Sequence, residues 1–245
     1  MSRRFGGIMR QIRLGNLKID DLGVREAVDL ALREGDGPCW VVTPNALMLQ
    51  RCREDPATAA LLSRASLSLA DGVGVVLAAR RQGTPLSAGR VAGIEFGEAL
   101  LSSAADKGLR VFLLGGEEGI AERAARRLCR RYPTLSVCGT YWGYFDPEGE
   151  DDRRLVSVLR AVRPDVLLVC MGFPLQETWI AEHLDRLCDV RVIAGLGGSL
   201  DVWAGKCRRA PRALSRWGLE WAWRMLLEPR RLRQLPELWR FYRQK

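Results

Sequence analysis

Asp71 stands in the run Ala70-Asp71-Gly72-Val73-Gly74, after one apolar stretch and before another. A carboxylate at the end of a strand can serve as a general base, taking the proton of an attacking hydroxyl. At the same place it can cap the following helix by accepting a backbone N–H bond, and taken in isolation the cap is the simpler reading. Gly72 and Gly74 let a substrate approach the backbone closely. Thr43-Pro44-Asn45 offers a hydroxyl and an amide that suit sugar hydroxyls, or equally a capped helix start. Gln176 and Glu177 follow Pro174, whose place at a first helical turn is ordinary punctuation. Gly115-Gly116 precedes the helical stretch from Ile120 to Arg131 and would aim backbone N–H groups at an anion. The G-x-G-x-x-G dinucleotide pattern is missing, and a tight strand-to-helix turn explains that pair equally well. Gly197-Gly198 makes a similar turn.

Chemistry at these positions requires elements that bring them together. Apolar, β-branched runs recur at Cys39 to Val42, Leu67 to Leu69, Val111 to Leu114, Leu135 to Val137, Val166 to Val169 and Val190 to Ile193, with amphipathic stretches between most of them. That alternation predicts an α/β, Rossmann-like fold with a mostly parallel twisted sheet flanked by helices. Parallel strands covered on both faces present ligands at their carboxyl ends, so Thr43, Asp71, Gly115, Gln176 and Gly197 are expected on one rim. Ahead of this domain, Ile12 to Ile19 reads as a hairpin turning at Gly15-Asn16, followed by a helix from Val24 to Leu32.

The net charge of +9 is not evenly spread: residues 1–202 hold 26 Lys+Arg against 26 Asp+Glu, and residues 203–245 hold 12 against 3. The chain therefore divides into an α/β catalytic domain over 1–202 and a basic, aromatic, helical appendage over 203–245. Leu214, Trp217, Trp221 and Met225 recur there at helical spacing, and Trp203, Trp217, Trp221, Trp223 and Trp239 are five of the eight tryptophans. Aromatics mixed with arginine suit a helix lying at an anionic lipid interface, and an aromatic stripe packed on the domain would look the same.

No apolar run reaches the length of a membrane span, and Met1 to Arg13 lacks the apolar core of a secretory signal, so the expected location is the cytoplasm. The seven cysteines lack C-x-x-C spacing and read as reduced, small core residues. With His183 the only histidine, no metal site is expected.

Taken in order, T-P-N at 43–45, A-D-G-V-G at 70–74, R-V-A-G at 90–93, V-F-L-L-G-G at 111–116, G-Y-F at 143–145, G-F-P-L-Q-E-T-W-I at 172–180 and G-L-G-G-S-L-D-V-W-A-G at 195–205 resemble the WecG/TagA/CpsF family. The runs at 209–224 and 228–232 resemble its carboxyl-terminal appendage. These are bacterial glycosyltransferases, best known as N-acetylmannosaminyltransferases.

The resemblance implies inverting transfer from a UDP-sugar donor to a polyprenyl-diphosphate-linked acceptor in cell-surface polysaccharide synthesis. N-acetylmannosamine is the first expectation for the sugar, with glucose or N-acetylmannosaminuronate as alternatives. It implies Asp71 as the base with Thr43 and Asn45 beside it. Arg90, Gln176 and Glu177 fall at the substrate pocket, and Arg216 and Arg224 reach in from the appendage. Peripheral association with the inner face of the membrane and a homo-oligomer both fit the family. The chain has no Asp-x-Asp motif, so no metal or cofactor is expected; glycine turns and arginines must then stabilise the departing diphosphate. A nucleic-acid-binding protein and a nicotinamide-dependent oxidoreductase are the remote alternatives.

Overall fold

The computed structural model describes residues 10–207, 223 and 235–243. Six strands form one parallel sheet: β3 (Cys39–Val42), β4 (Leu67–Ser68), β5 (Arg110–Gly115), β6 (Ser136–Tyr141), β7 (Val166–Cys170) and β8 (Val192–Gly195), in the order β4-β3-β8-β7-β5-β6. The inner strands β3, β7 and β8 are buried along their whole length, which is why they read as unbroken apolar runs. The predicted antiparallel hairpin is present as β1 (Gln11–Leu14) and β2 (Leu17–Asp20), and Asp20 bridges to Leu69 beyond the β4 edge.

Helices cover both faces. On one side lie α1 (Val24–Ala31), α5 (Gly93–Asp106), α6 (Ile120–Arg131) and α9 (Ser199–Trp203), packed on Val41, Val111, Leu113, Leu168 and Ala194. On the other lie α2 (Ala46–Glu54), α3 (Pro56–Leu62), α4 (Val73–Arg81), α7 (Glu150–Val162) and α8 (Leu175–His183), with the hairpin, against Trp40, Val42, Leu114, Val169 and Ile193. A last described helix, α10 (Leu235–Arg243), packs on α2 and buries Phe241 in this second core.

Local sequence sets the helix starts. Asn45 caps α2 by accepting the Leu47 and Met48 N–H groups at 3.0 and 3.1 Å. Asp55 caps α3, with Pro56 in its first turn. Helices α7 and α8 are joined by a buried cluster in which Asp152 Oδ1 accepts from Trp179 Nε1 at 2.6 Å and lies 3.0 Å from His183 Nε2. His183 is thus held inside the fold.

Two expectations shift. The β6 and β8 strands begin later than the apolar runs suggested and extend to Tyr141 and Gly195. Cys188 is exposed where a core residue was expected, although all seven cysteines are free.

Candidate active site

Every connection from the carboxyl end of a parallel strand opens onto the same edge of this sheet. Helices diverge there to opposite faces: α2 after β3 and α8 after β7 go one way, α9 after β8 and α6 after β5 the other. Such a divergence between neighbouring strands opens a crevice for ligands. The residues bordering it come from segments far apart in the chain.

Asp71 follows the short strand β4, and its backbone N–H donates to the Pro44 carbonyl at 2.9 Å, between Thr43 and Asn45. Next to it, Val91 N–H donates to the Ala70 carbonyl at 2.8 Å, which brings Arg90 alongside Asp71 although 18 residues of chain separate them. Gly93 opens α5 against Thr43, with the Thr43 hydroxyl 3.0 Å from where a β-carbon would stand. That hydroxyl also donates to the Gly195 carbonyl at 3.3 Å, tying the β3 loop to the end of β8. Arg90 has Glu95 at 3.7 Å.

Asp71 is not the helix cap. The residue at the N-cap of α4 is Gly72, at φ +88°, a conformation that an L side chain rarely adopts. The Asp71 carboxylate is therefore one residue outside the helix and partly exposed. Asn45, by contrast, spends its side-chain oxygen on capping α2, so only its amide NH₂ faces outward needs.

On the other side of the crevice, Gln176 Oε1 accepts the N–H groups of Gly172 and Gly197 at 3.2 and 3.0 Å, and Gln176 Nε2 donates to Glu177 Oε1 at 2.7 Å. Glu177 is completely buried. Burial pushes its carboxyl up to about 7, against a smaller opposing effect of the Gln176 hydrogen bond. Gly198 occupies the N-cap of α9 after Gly197. Gly115 ends β5, and Gly116 and Gly119 lead into α6, whose start has no side-chain cap. Glu117 in that turn pairs with Lys206 at 2.8 Å.

Arg216 and Arg224 lie outside the described residues. Trp203, expected with the interfacial tryptophans, is instead 5% exposed and packed in the core through α9. An indole enclosed in that way cannot meet lipid.

Two contributors carry no signal in the sequence. Asp21, just past β2, accepts from Ser87 N–H, the Ser87 hydroxyl and Ala88 N–H at 2.9, 2.7 and 2.9 Å, and so fixes the loop that delivers Arg90. Burial raises this carboxyl's pKa, but those hydrogen bonds and Arg10 outweigh it and hold it below the ordinary carboxylate value. Its stabilisation is present above the unfolded-state pKa and is lost as pH falls through the folded one. Asp21→Asn is expected to cost about 2 kcal/mol at pH 7, as bonds to a charged acceptor weaken. Urea unfolding should show that deficit constant above pH ~5 and shrinking in acid; a deficit that grows in acid would refute the assignment.

The second is Tyr242 on α10, whose hydroxyl lies 2.9 Å from where a β-carbon on Gly74 would stand, with Ala46 Cβ at 2.8 Å on the other side. The carboxyl-terminal helix thus touches the amino ends of α2 and α4. Ion pairs Arg51–Glu237 and Arg240–Glu54 and the Arg53 guanidinium over the Phe241 ring hold it there.

Comparison with known proteins places the chain in a family. Residues 12–245 match the model of the glycosyl transferase WecG/TagA/CpsF family. The chain is 36% identical over 199 residues, 81% of its own length and 76% of the relative's, to an N-acetylglucosaminyldiphosphoundecaprenol N-acetyl-beta-D-mannosaminyltransferase of Staphylococcus aureus strain MRSA252. Proteins of the same name from strains NCTC 8325 / PS 47 and N315 match equally well. The oxidoreductase and nucleic-acid alternatives give way: the chain is an enzyme, a glycosyltransferase belonging to the WecG/TagA/CpsF family.

Proposed function

We propose that this protein transfers N-acetylmannosamine from a UDP-linked donor to the N-acetylglucosamine of a polyprenyl-diphosphate-linked acceptor, with inversion and without a metal ion, in the synthesis of a bacterial cell-surface polysaccharide. The observation that carries this reading is the place of Asp71. It stands outside the α4 cap at the carboxyl edge of the sheet, beside Thr43, Asn45 and Arg90. The S. aureus relatives, by their name, use the corresponding acceptor.

In the proposed reaction Asp71 takes the proton of the acceptor hydroxyl as its oxygen bonds to the anomeric carbon of the donor. The bond from that carbon to the diphosphate oxygen breaks on the opposite face, and UDP departs with the electron pair. Thr43 and the Asn45 amide orient sugar hydroxyls next to the base. Growing charge on the diphosphate requires donors already in place. Arg90, the 115–119 turn and the Gly197-Gly198 turn supply them from the domain, and Arg216 and Arg224 from the appendage.

The metal-free element rests on a sequence without an Asp-x-Asp motif. No described helix is long and apolar enough to cross a membrane. A lipid-linked acceptor therefore calls for docking at the inner membrane face. Along α10, Trp239 is 63% exposed beneath the Arg243 guanidinium, and Leu235 is also exposed, an arrangement that suits an anionic surface.

The test is transfer of labelled sugar from UDP-N-acetylmannosamine, UDP-glucose and UDP-N-acetylmannosaminuronate to a short-chain polyprenyl-diphosphate-N-acetylglucosamine. Transfer from the first donor, undiminished by EDTA, is the expected result. Preference for another donor would rename the sugar, and activity lost to EDTA and restored by Mg or Mn would overturn the metal-free mechanism.

A further inference from the structure

Gln176 holds together two loops that leave neighbouring strands. Its Oε1 receives the Gly172 N–H from the end of β7 and the Gly197 N–H from the end of β8, and both glycines have positive φ, +83° and +53°. An amide can turn over and exchange its oxygen for its NH₂. Turned over, Gln176 would point two donors at two donors, and both loops would lose their anchor.

Besides those two N–H groups, one side chain opposes that inversion. Glu177 Oε1 accepts from Gln176 Nε2 at 2.7 Å, and an acceptor at this point admits the NH₂ and rejects the carbonyl oxygen. The Glu177 side chain is completely buried, its Oε2 has no hydrogen-bond partner, and no other side chain among the described residues bonds to it. The space for the pair exists because residue 195 is glycine: a β-carbon there would stand 2.8 Å from Gln176 Nε2 and 3.4 Å from Glu177 Oε1. A carboxyl so enclosed does not reach a substrate. Its effect on the rim passes through its neighbour.

We propose that Glu177 is a positioning residue: its buried carboxyl fixes the orientation of the Gln176 amide, and through it the two strand-end loops that receive the diphosphate of the donor. This rests on reading that rim as the nucleotide-sugar pocket. The Gly197-Gly198 turn can hold an anion only while its backbone keeps one conformation, so donor binding and turnover depend on a side chain that touches neither substrate.

The test uses the full-length protein in three forms: wild type, Glu177→Met and Glu177→Gln. Met fills a similar volume without an acceptor, whereas Gln restores a carbonyl oxygen that Gln176 Nε2 can use. Amide hydrogen exchange at Gly172 and Gly197, read residue by residue, is measured beside steady-state transfer. Both amides are expected to be protected in wild type. Glu177→Met should speed exchange at these two by at least about tenfold relative to the β7 and β8 strands, raise the KM for donor and lower kcat/KM by roughly 10- to 100-fold. Glu177→Gln should recover both properties.

Unprotected Gly172 and Gly197 amides in wild type would overturn the proposal without any variant. So would exchange in Glu177→Met that rises equally across the sheet, or kinetics indifferent to residue 177. A wild type that transfers nothing from any UDP-sugar would defeat the functional reading, while the exchange measurement would still decide the grip of Glu177 on Gln176.

Discussion

Asp71→Asn is expected to lower the transfer rate by about 10²–10⁴-fold while leaving the fold intact. The substitution keeps the shape of the side chain and removes its capacity to take a proton. It also separates the two roles the residue type allows: asparagine caps helices as well as aspartate does, so a capping Asp71 would tolerate the change. Here Gly72 holds the N-cap, and the bond from residue 71 to the Pro44 carbonyl belongs to the backbone and survives. The deficit should fall on kcat with little change in donor KM, the pattern of an interaction made only in the transition state. Labelled-sugar transfer and a thermal melt on the same preparation decide the matter. Wild-type transfer by a folded Asp71→Asn protein would remove the base assignment and return the rim to a purely structural reading.

The parts of this site that the sequence displays are those in which side-chain type and backbone position coincide. Strands such as Val166–Cys170 are buried on both faces and therefore apolar at every position, so they and the loops after them can be placed without coordinates. The edge strand β6 is only half-buried and carries Gly139 and Thr140 in its centre, which leaves no apolar run to mark its end. Asp71 could be located but not relieved of capping, because the decision lies in the φ of Gly72. Asp21 reaches Ser87 and Ala88 across 66 and 67 residues, and nothing in its own neighbourhood announces such a partner. Glu177 reads as a rim carboxylate because acidic residues are seldom wholly buried. Its helix α8 buries the polar Gln176, Glu177 and His183 together with Trp179, Ile180 and Ala181 and exposes the apolar Leu175 beside Thr178 and Glu182, so residue type does not mark its outward face.

That misjudged exposure has a measurable consequence for stability. Burial raises the Glu177 carboxyl from 4.5 to about 7, with the Gln176 side chain offsetting part of the effect. In the unfolded chain the group ionises near its ordinary value, whereas in the fold it remains neutral until pH approaches 7. Its contribution to stability is therefore fully present below the unfolded pKa and is lost as pH rises through the folded one. At 1.36 kcal/mol per pKa unit the loss across that window amounts to about 3 kcal/mol. Glu177→Gln cannot ionise and should not lose it. Asp20, also raised by burial, and Asp21, lowered, are unchanged in the variant, so their own titrations cancel in the comparison. Urea unfolding of both proteins from about pH 4 to 8 should show the wild type weakening relative to Glu177→Gln by about 3 kcal/mol, most of it below pH 7. Parallel profiles would mean that the carboxyl reaches water or a compensating charge as the protein breathes. A relative gain for wild type with rising pH would mean that it is held as a carboxylate, which a fully buried group with one amide for a partner should not be.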